Sequence, residues 1–103
     1  MPPNSETVLS KIAAIEEEMR HRDFWQAEPL QPEQYQFSEA FAMDSMAFSQ
    51  WLQFIFIPRV KDSAASGQFP SKSEVAAQAV REFDGVQEAS DLVTLLSEFD
   101  ALF

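Results

Sequence analysis

Trp51-Leu52-Gln53-Phe54-Ile55-Phe56-Ile57 holds a single polar side chain, Gln53. A helix that is apolar on nearly every face has to be enclosed by other elements, so this segment is expected to be the axis of the fold. Upstream, Asp44 or Ser45 can accept hydrogen bonds from the first free N–H groups of a helix starting near residues 45–47. Downstream, Pro58 lacks an N–H and crowds the turn before it, which predicts a kink or an end. Beyond it, Lys61-Asp62-Ser63-Ala64-Ala65-Ser66 can continue as helix, with Gly67 suited to the left-handed position that closes the last turn.

The elements that enclose this axis lie on both sides of it. Val8, Leu9, Ile12, Ile15 and Met19 recur at steps of three and four, which predicts a helix from about residue 6 to the low twenties, capped by Ser5. Residues 1–5 are expected to be a frayed lead-in. Glu6 in the first turn and Arg20 and Arg22 in the last complement the helix dipole, and Glu16, Glu17 and Glu18 form a solvated face. Residues 26–40 contain Pro29 and Pro32, which prevent a regular helix. Because Phe24, Trp25, Leu30, Tyr35 and Phe37 flank or occupy this stretch, it is expected to lie ordered against the core. Ser71-Lys72-Ser73-Glu74 has the S-x-x-E pattern of a capping box. It predicts a third helix with Val75, Ala76, Ala79, Val80 and Phe83 inward and Gly85 at its end. Leu92, Val93, Leu95, Leu96, Phe99, Leu102 and Phe103 mark a fourth. The expectation is one all-α domain over residues 1–103, an up-and-down four-helix bundle around a central apolar helix, with a long Pro-containing ordered loop.

Composition narrows the function classes. Seventeen acidic against seven basic residues give a net charge near −10, the opposite of the basic footprint needed on nucleic acid or an anionic membrane surface. Such a charge reads first as solubility and long-range repulsion; the sharper alternative is attraction to a basic partner protein. With no cysteine there is no disulfide framework or thiolate site. The first residues lack the basic and apolar regions of a signal peptide, and no apolar run approaches the roughly 20 residues needed to span a bilayer. The expected location is the cytoplasm.

A wider pattern carries a family resemblance. Phe41-x-Met43-Asp44-x-Met46, then Trp51-Leu52-Gln53, then Ile57-Pro58-Arg59, resembles the signature of the YqcC family, with Trp25 upstream and Asp100-Ala101-Leu102-Phe103 at the end. The likeness is dense over residues 24–60 and looser elsewhere; Val60 stands where the pattern has Met. This resemblance implies a small bacterial helical bundle without established activity. Its members are encoded beside, and sometimes named after, a tRNA pseudouridine synthase whose catalytic domain they lack.

No residue set has a catalytic pattern, so no catalytic residue, metal or cofactor is expected. His21, between Arg20 and Arg22, has no orienting partner and reads as a surface residue. The ligand or partner candidates are Trp25, Met43, Asp44, Trp51, Gln53 and Arg59. Across an unbroken helix Asp44 and Arg59 would stand about 18 Å apart, so each is expected to serve its own end. Asp44 would cap the central helix, and Arg59 would stabilise the last turn or pair with a loop carboxylate. A buried Gln53 would bond the Pro-containing loop; an exposed one would sit on a polar strip with Ser49 and Gln50. Trp25 and Trp51 are core residues or the walls of a pocket, and Met43 and Met46 suit a partner surface. The leading expectation is a non-catalytic protein-interaction module, accessory to tRNA modification, a pseudouridine synthase or another RNA-modification protein being the partner. It would act as a monomer or weak homodimer. The alternative is a small-molecule binding domain with a pocket between the 26–40 loop and the central helix, contacted by Trp25, Trp51, Gln53 and Arg59.

Overall fold

The computed structural model describes residues 4–103, so residues 1–3 of the expected lead-in lie outside the described residues. Helix α1 spans Ser5–His21. Its cap is Asn4 rather than Ser5: the Asn4 side chain accepts from the N–H of Glu6 at 2.7 Å and of Thr7 at 3.4 Å. Ser5 is already helical, and its hydroxyl donates across the core to the Ala64 carbonyl at 3.2 Å. Val8, Ile12, Ile15 and Met19 form the buried stripe, while Leu9 lies exposed at its edge.

Helix α2 runs over 48–66 without ending at Pro58. It opens with a regular turn, Phe48–Trp51, widens into a π turn over Leu52–Phe56, and continues as Ile57–Ser66. In the wide turn the Ile57 N–H reaches back five residues to the Leu52 carbonyl. A proline ring collides with the carbonyl four residues earlier in a regular helix; opening the turn ahead of Pro58 relieves that collision. Gly67, at φ 72°, closes the helix as expected. The start is different from expectation. Ala47 precedes the first turn and Gln50 Oε1 accepts its N–H at 2.9 Å, so neither Asp44 nor Ser45 is the cap.

The wide turn also changes which side chains face inward. A uniform 3.6-residue period from Phe48, Leu52 and Ile55 would carry Arg59, Asp62 and Ser66 into the core. Those three are exposed, and Val60, Ser63 and Ala64 are tucked in instead. One extra residue in the turn has rotated the second half of the helix by one position. Because the backbone already accommodates the ring, Pro58→Ala is expected to change stability by less than about 1 kcal/mol, against about 3 kcal/mol for a proline forced into a regular helix interior. Thermal unfolding of the variant checks this.

Helix α3 is Val75–Glu82 and α4 is Ser90–Asp100. The expected box between Ser71 and Glu74 does not form, and Glu74 gives no side-chain bond at the α3 start. Asp100, at the far end of α4, takes that role. Its Oδ1 accepts from the Ser73 hydroxyl at 2.6 Å and the Val75 N–H at 3.1 Å, and its Oδ2 from the Ala76 N–H at 2.8 Å. A carboxylate at a helix N-terminus satisfies free donors and opposes the positive end of the dipole. Val80, expected inward, is 57% exposed.

The four-helix bundle expected from the sequence is the fold that forms. Helix α1 packs on both α2 and α4, and α3 packs on α4. The apolar axis is buried as expected: Trp51, Leu52, Gln53, Ile55, Phe56 and Ile57 are all inside, with Phe54 only half covered. Its enclosure is partly loop. Phe24, Trp25, Phe37 and Phe41, from residues 22–47, pack against the same core, and Leu30 of the same stretch is buried.

Candidate functional site

Gln53 explains how the long loop is held. Its side chain is 7% exposed, so both ends of the amide need partners. The Gln26 N–H donates to Gln53 Oε1 at 2.9 Å, and Gln53 Nε2 donates to the Gln26 carbonyl at 2.8 Å. Gln50 Nε2 donates to the Gln26 side-chain oxygen at 3.1 Å. Gln53 is therefore the buried glutamine bonded to the loop, and its hydrogen-bonding groups are occupied.

The other candidates fall on different parts of the molecule. Trp25 lies beside Gln53, with the Arg20 guanidinium 4.4 Å from its ring centre. Together with Ala27, Pro29 and Phe54 they line a broad, open depression of about 580 Å³. Trp51 and Arg59 belong elsewhere, to an apolar cleft of about 210 Å³. Its walls are Trp51, Phe56, Phe99 and Phe103, and both Arg59 and Lys72 line it. The pocket expected to unite Trp25, Trp51, Gln53 and Arg59 is thus two separate concavities.

Arg59 sits in mid-helix, not in the last turn, and makes no ion pair among the described residues. This corrects the expected pairing with a loop carboxylate. Nor is the acidic face of α1 simply solvated. Glu16 pairs with Arg20 at 3.4 Å and Lys61 at 3.6 Å, and Glu18 pairs with Arg22 at 3.1 Å. These are exposed pairs, each worth well under about 1 kcal/mol. His21 is exposed, as expected.

Asp44 closes the loop. Its carboxylate accepts from the Ser38 N–H at 3.1 Å, the Ser38 hydroxyl at 3.2 Å and the Glu39 N–H at 3.3 Å. Inside that closed turn Phe41 and Ala42 take φ values of 57° and 53°, a left-handed conformation that costs a residue with a Cβ roughly 1–2 kcal/mol. Phe41 stays there because its ring packs edge-on against Trp51, with centroids 5.0 Å apart. Met43, next in the turn, is 58% exposed, with its sulfur 3.5 Å from Gln78 Nε2.

The Ser38 N–H, aided by that of Glu39, holds the Asp44 carboxyl below its ordinary value. The folded value lies below the unfolded one, so this contribution is present above about pH 4 and is lost as pH falls through the folded value. Asp44→Asn is expected to lose that acid-side slope while keeping the fold. Thermal unfolding of both proteins from neutral to acidic pH tests it, and parallel curves would refute it.

Lys72, Phe69, Phe99 and Phe103 complete the cleft and were not among the sequence candidates. The four-residue step from Phe99 to Phe103 hinted at one aromatic face, but the Phe69-Pro70 turn that meets it is distant in sequence. Among the described residues no cluster of three or more His, Asp or Glu could hold a metal ion, and no helix is long and apolar enough to cross a membrane.

With these positions established, comparison with known proteins gives the family. Residues 7–102 match the model of the DUF446 family, whose description is tRNA pseudouridine synthase C. The chain belongs to the DUF446 family. Its fold is that of another protein of this type: the solution NMR structure of YqcC from E. coli superposes with a TM-score of 0.86 at 26% identity, over 97% of this chain and 87% of that one. The YqcC resemblance drawn from residues 24–60 is thereby confirmed. An uncharacterized protein of Haemophilus influenzae is 31% identical over 84 residues, covering 78% of this chain and 79% of its own length. A tRNA pseudouridine synthase C of Pectobacterium carotovorum subsp. carotovorum is 39% identical over 53 residues. That match covers 52% of this DUF446 chain but only 14% of the much longer synthase.

Proposed function

We propose that this chain is a non-catalytic interaction module that serves a tRNA pseudouridine synthase through protein contact. The supporting observation is the Pectobacterium protein. There, a stretch 39% identical to half of this chain occupies 14% of a polypeptide named tRNA pseudouridine synthase C, so a related module is covalently joined to that enzyme. A domain that is joined to an enzyme in one relative and makes up 79% of another is well placed to act on the same partner, with binding energy standing in for the covalent link. The charge distribution agrees with protein contact and not with direct tRNA contact, since a net charge near −10 opposes approach to a phosphate backbone. Asp44 and Gln53, the most chemically distinctive polar groups of the 24–60 region, are both occupied in holding the loop.

The test mixes the purified chain with the pseudouridine synthase of the same genome. A shared elution peak on gel filtration, and measurable heat on titration, are expected. Separate elution with no heat at the highest soluble concentration overturns the proposal.

A further inference from the structure

The cleft beneath Trp51 and Phe56 has the chemistry of a receptor for one side chain. At about 210 Å³ it falls below the roughly 300–1,000 Å³ of pockets that take whole small molecules. It is nonetheless built of rings that support one another. Trp51 stacks on Phe56 at 5.5 Å, Phe99 meets Phe56 edge-on at 5.2 Å, and Phe103 lies 5.1 Å from Phe99. Such a lining is set before binding, which lowers the ordering cost of a bound group.

The charge of the side chains that line the cleft reverses that of the molecule. The chain carries seventeen acidic and seven basic residues, yet the lining side chains include Arg59 and Lys72 and no Asp or Glu. Arg59 has no ion-pair partner among the described residues. Among the described residues Lys72 pairs only with Glu74, at 3.2 Å, with both side chains largely exposed, a pair too weak to hold it. The Asp100 carboxylate bonded to the lining residue Ser73 is engaged by the N–H groups of α3. An acidic segment would be repelled from most of this surface and attracted here, which fixes both place and orientation.

We propose that the cleft receives an aromatic or branched aliphatic side chain from an acidic segment of the partner protein, with carboxylates beside that anchor meeting Arg59 and Lys72. This inference rests on the interaction-module proposal and adds the chemistry of the partner.

Two peptides with blocked ends, Ala-Glu-Phe-Glu-Ala and Ala-Lys-Phe-Lys-Ala, test the site by NMR titration of the ¹⁵N-labelled chain. The acidic peptide is expected to move amide signals of residues 56–63, 69–73 and 99–103, and the basic one to leave them in place. In Arg59→Glu/Lys72→Glu the acidic peptide is expected to bind at least about fivefold more weakly and the preference to reverse. Both substitutions are at exposed positions, so the fold is expected to survive, and the rest of the spectrum verifies it. Equal shifts from both peptides, shifts elsewhere, or none would overturn the site.

A second arm separates this inference from the proposal beneath it. A synthase that binds wild type and double variant equally leaves the module standing and removes the cleft as its contact. A synthase that binds neither, with the acidic peptide still seated in the cleft, overturns the synthase partnership and retains the site.

Discussion

Asp100→Ala is expected to cost about 3 kcal/mol of folding stability, because one carboxylate serves two backbone N–H groups and a hydroxyl at the start of α3. The geometry leaves those donors no ready substitute: Glu74 makes no bond there, and the Val75 and Ala76 N–H groups donate to a residue 24 or 25 positions away. For a domain of this size the loss corresponds to a midpoint lower by roughly 10–20 °C. Asp100→Asn keeps an acceptor oxygen and should lose about half as much. Glu74→Ala, at an exposed N-cap position whose side chain makes no capping bond, should cost less than about 0.5 kcal/mol. Circular-dichroism melts of the three variants decide the matter. Equal losses for Glu74→Ala and Asp100→Ala would show that the start of α3 is secured by its own sequence after all.

Gln53→Ala is the second large effect, at about 2–4 kcal/mol. It strips both partners from the Gln26 backbone and leaves a cavity where the buried amide stood. The consequence is not confined to stability. Gln26 is where the long loop first meets α2, so amide hydrogen exchange in residues 24–37 should quicken more than in α4. Gln53→Met restores the volume without the bonds. It should recover only the smaller, cavity-related part of the loss; full recovery would mean that packing, not the amide pair, fastens the loop.

What the sequence made legible was local. The three- and four-residue steps of Val8, Ile12, Ile15 and Met19 and of Leu92, Leu96 and Phe99 are properties of one helix each, and all seven side chains are buried. Gly67 is likewise a local requirement, met at φ 72°. The misreadings involve partners outside the helix whose start was being read. The S-x-x-E pattern at Ser71 was a plausible box, but Asp100 competes for the same donors from α4 and, with two oxygens at bonding distance, prevails. Asp44 was the right residue type for a cap and does cap a turn, the one at Ser38 and Glu39. That placement is set by the left-handed bend at Phe41 and Ala42, which residues of those types rarely adopt and sequence patterns do not announce.

Candidate-site residues were recognised singly but not in their groupings. Trp25 and Gln53 do meet, as the loop-on-helix picture requires. Trp51 and Arg59 also meet, but in a separate cleft that Trp25 and Gln53 do not reach. The true wheel slips by one residue at the wide turn, so Arg59 faces outward where a uniform period would bury it. The remaining cleft walls come from Phe69 and from Phe99 and Phe103, whose convergence depends on how three segments pack.

The wide turn over Leu52–Phe56 also sets a rule for insertions and deletions. Dropping half-covered Phe54, with Pro58 exchanged for alanine, would convert the bulged rod into an ordinary one while every flanking side chain kept its bearing. A one-residue loss outside the wide turn, anywhere else between Phe48 and Ser66, would turn the remainder through about 100° and set the buried and exposed faces against their neighbours. Gaps between related chains should therefore gather at this single address within the helix.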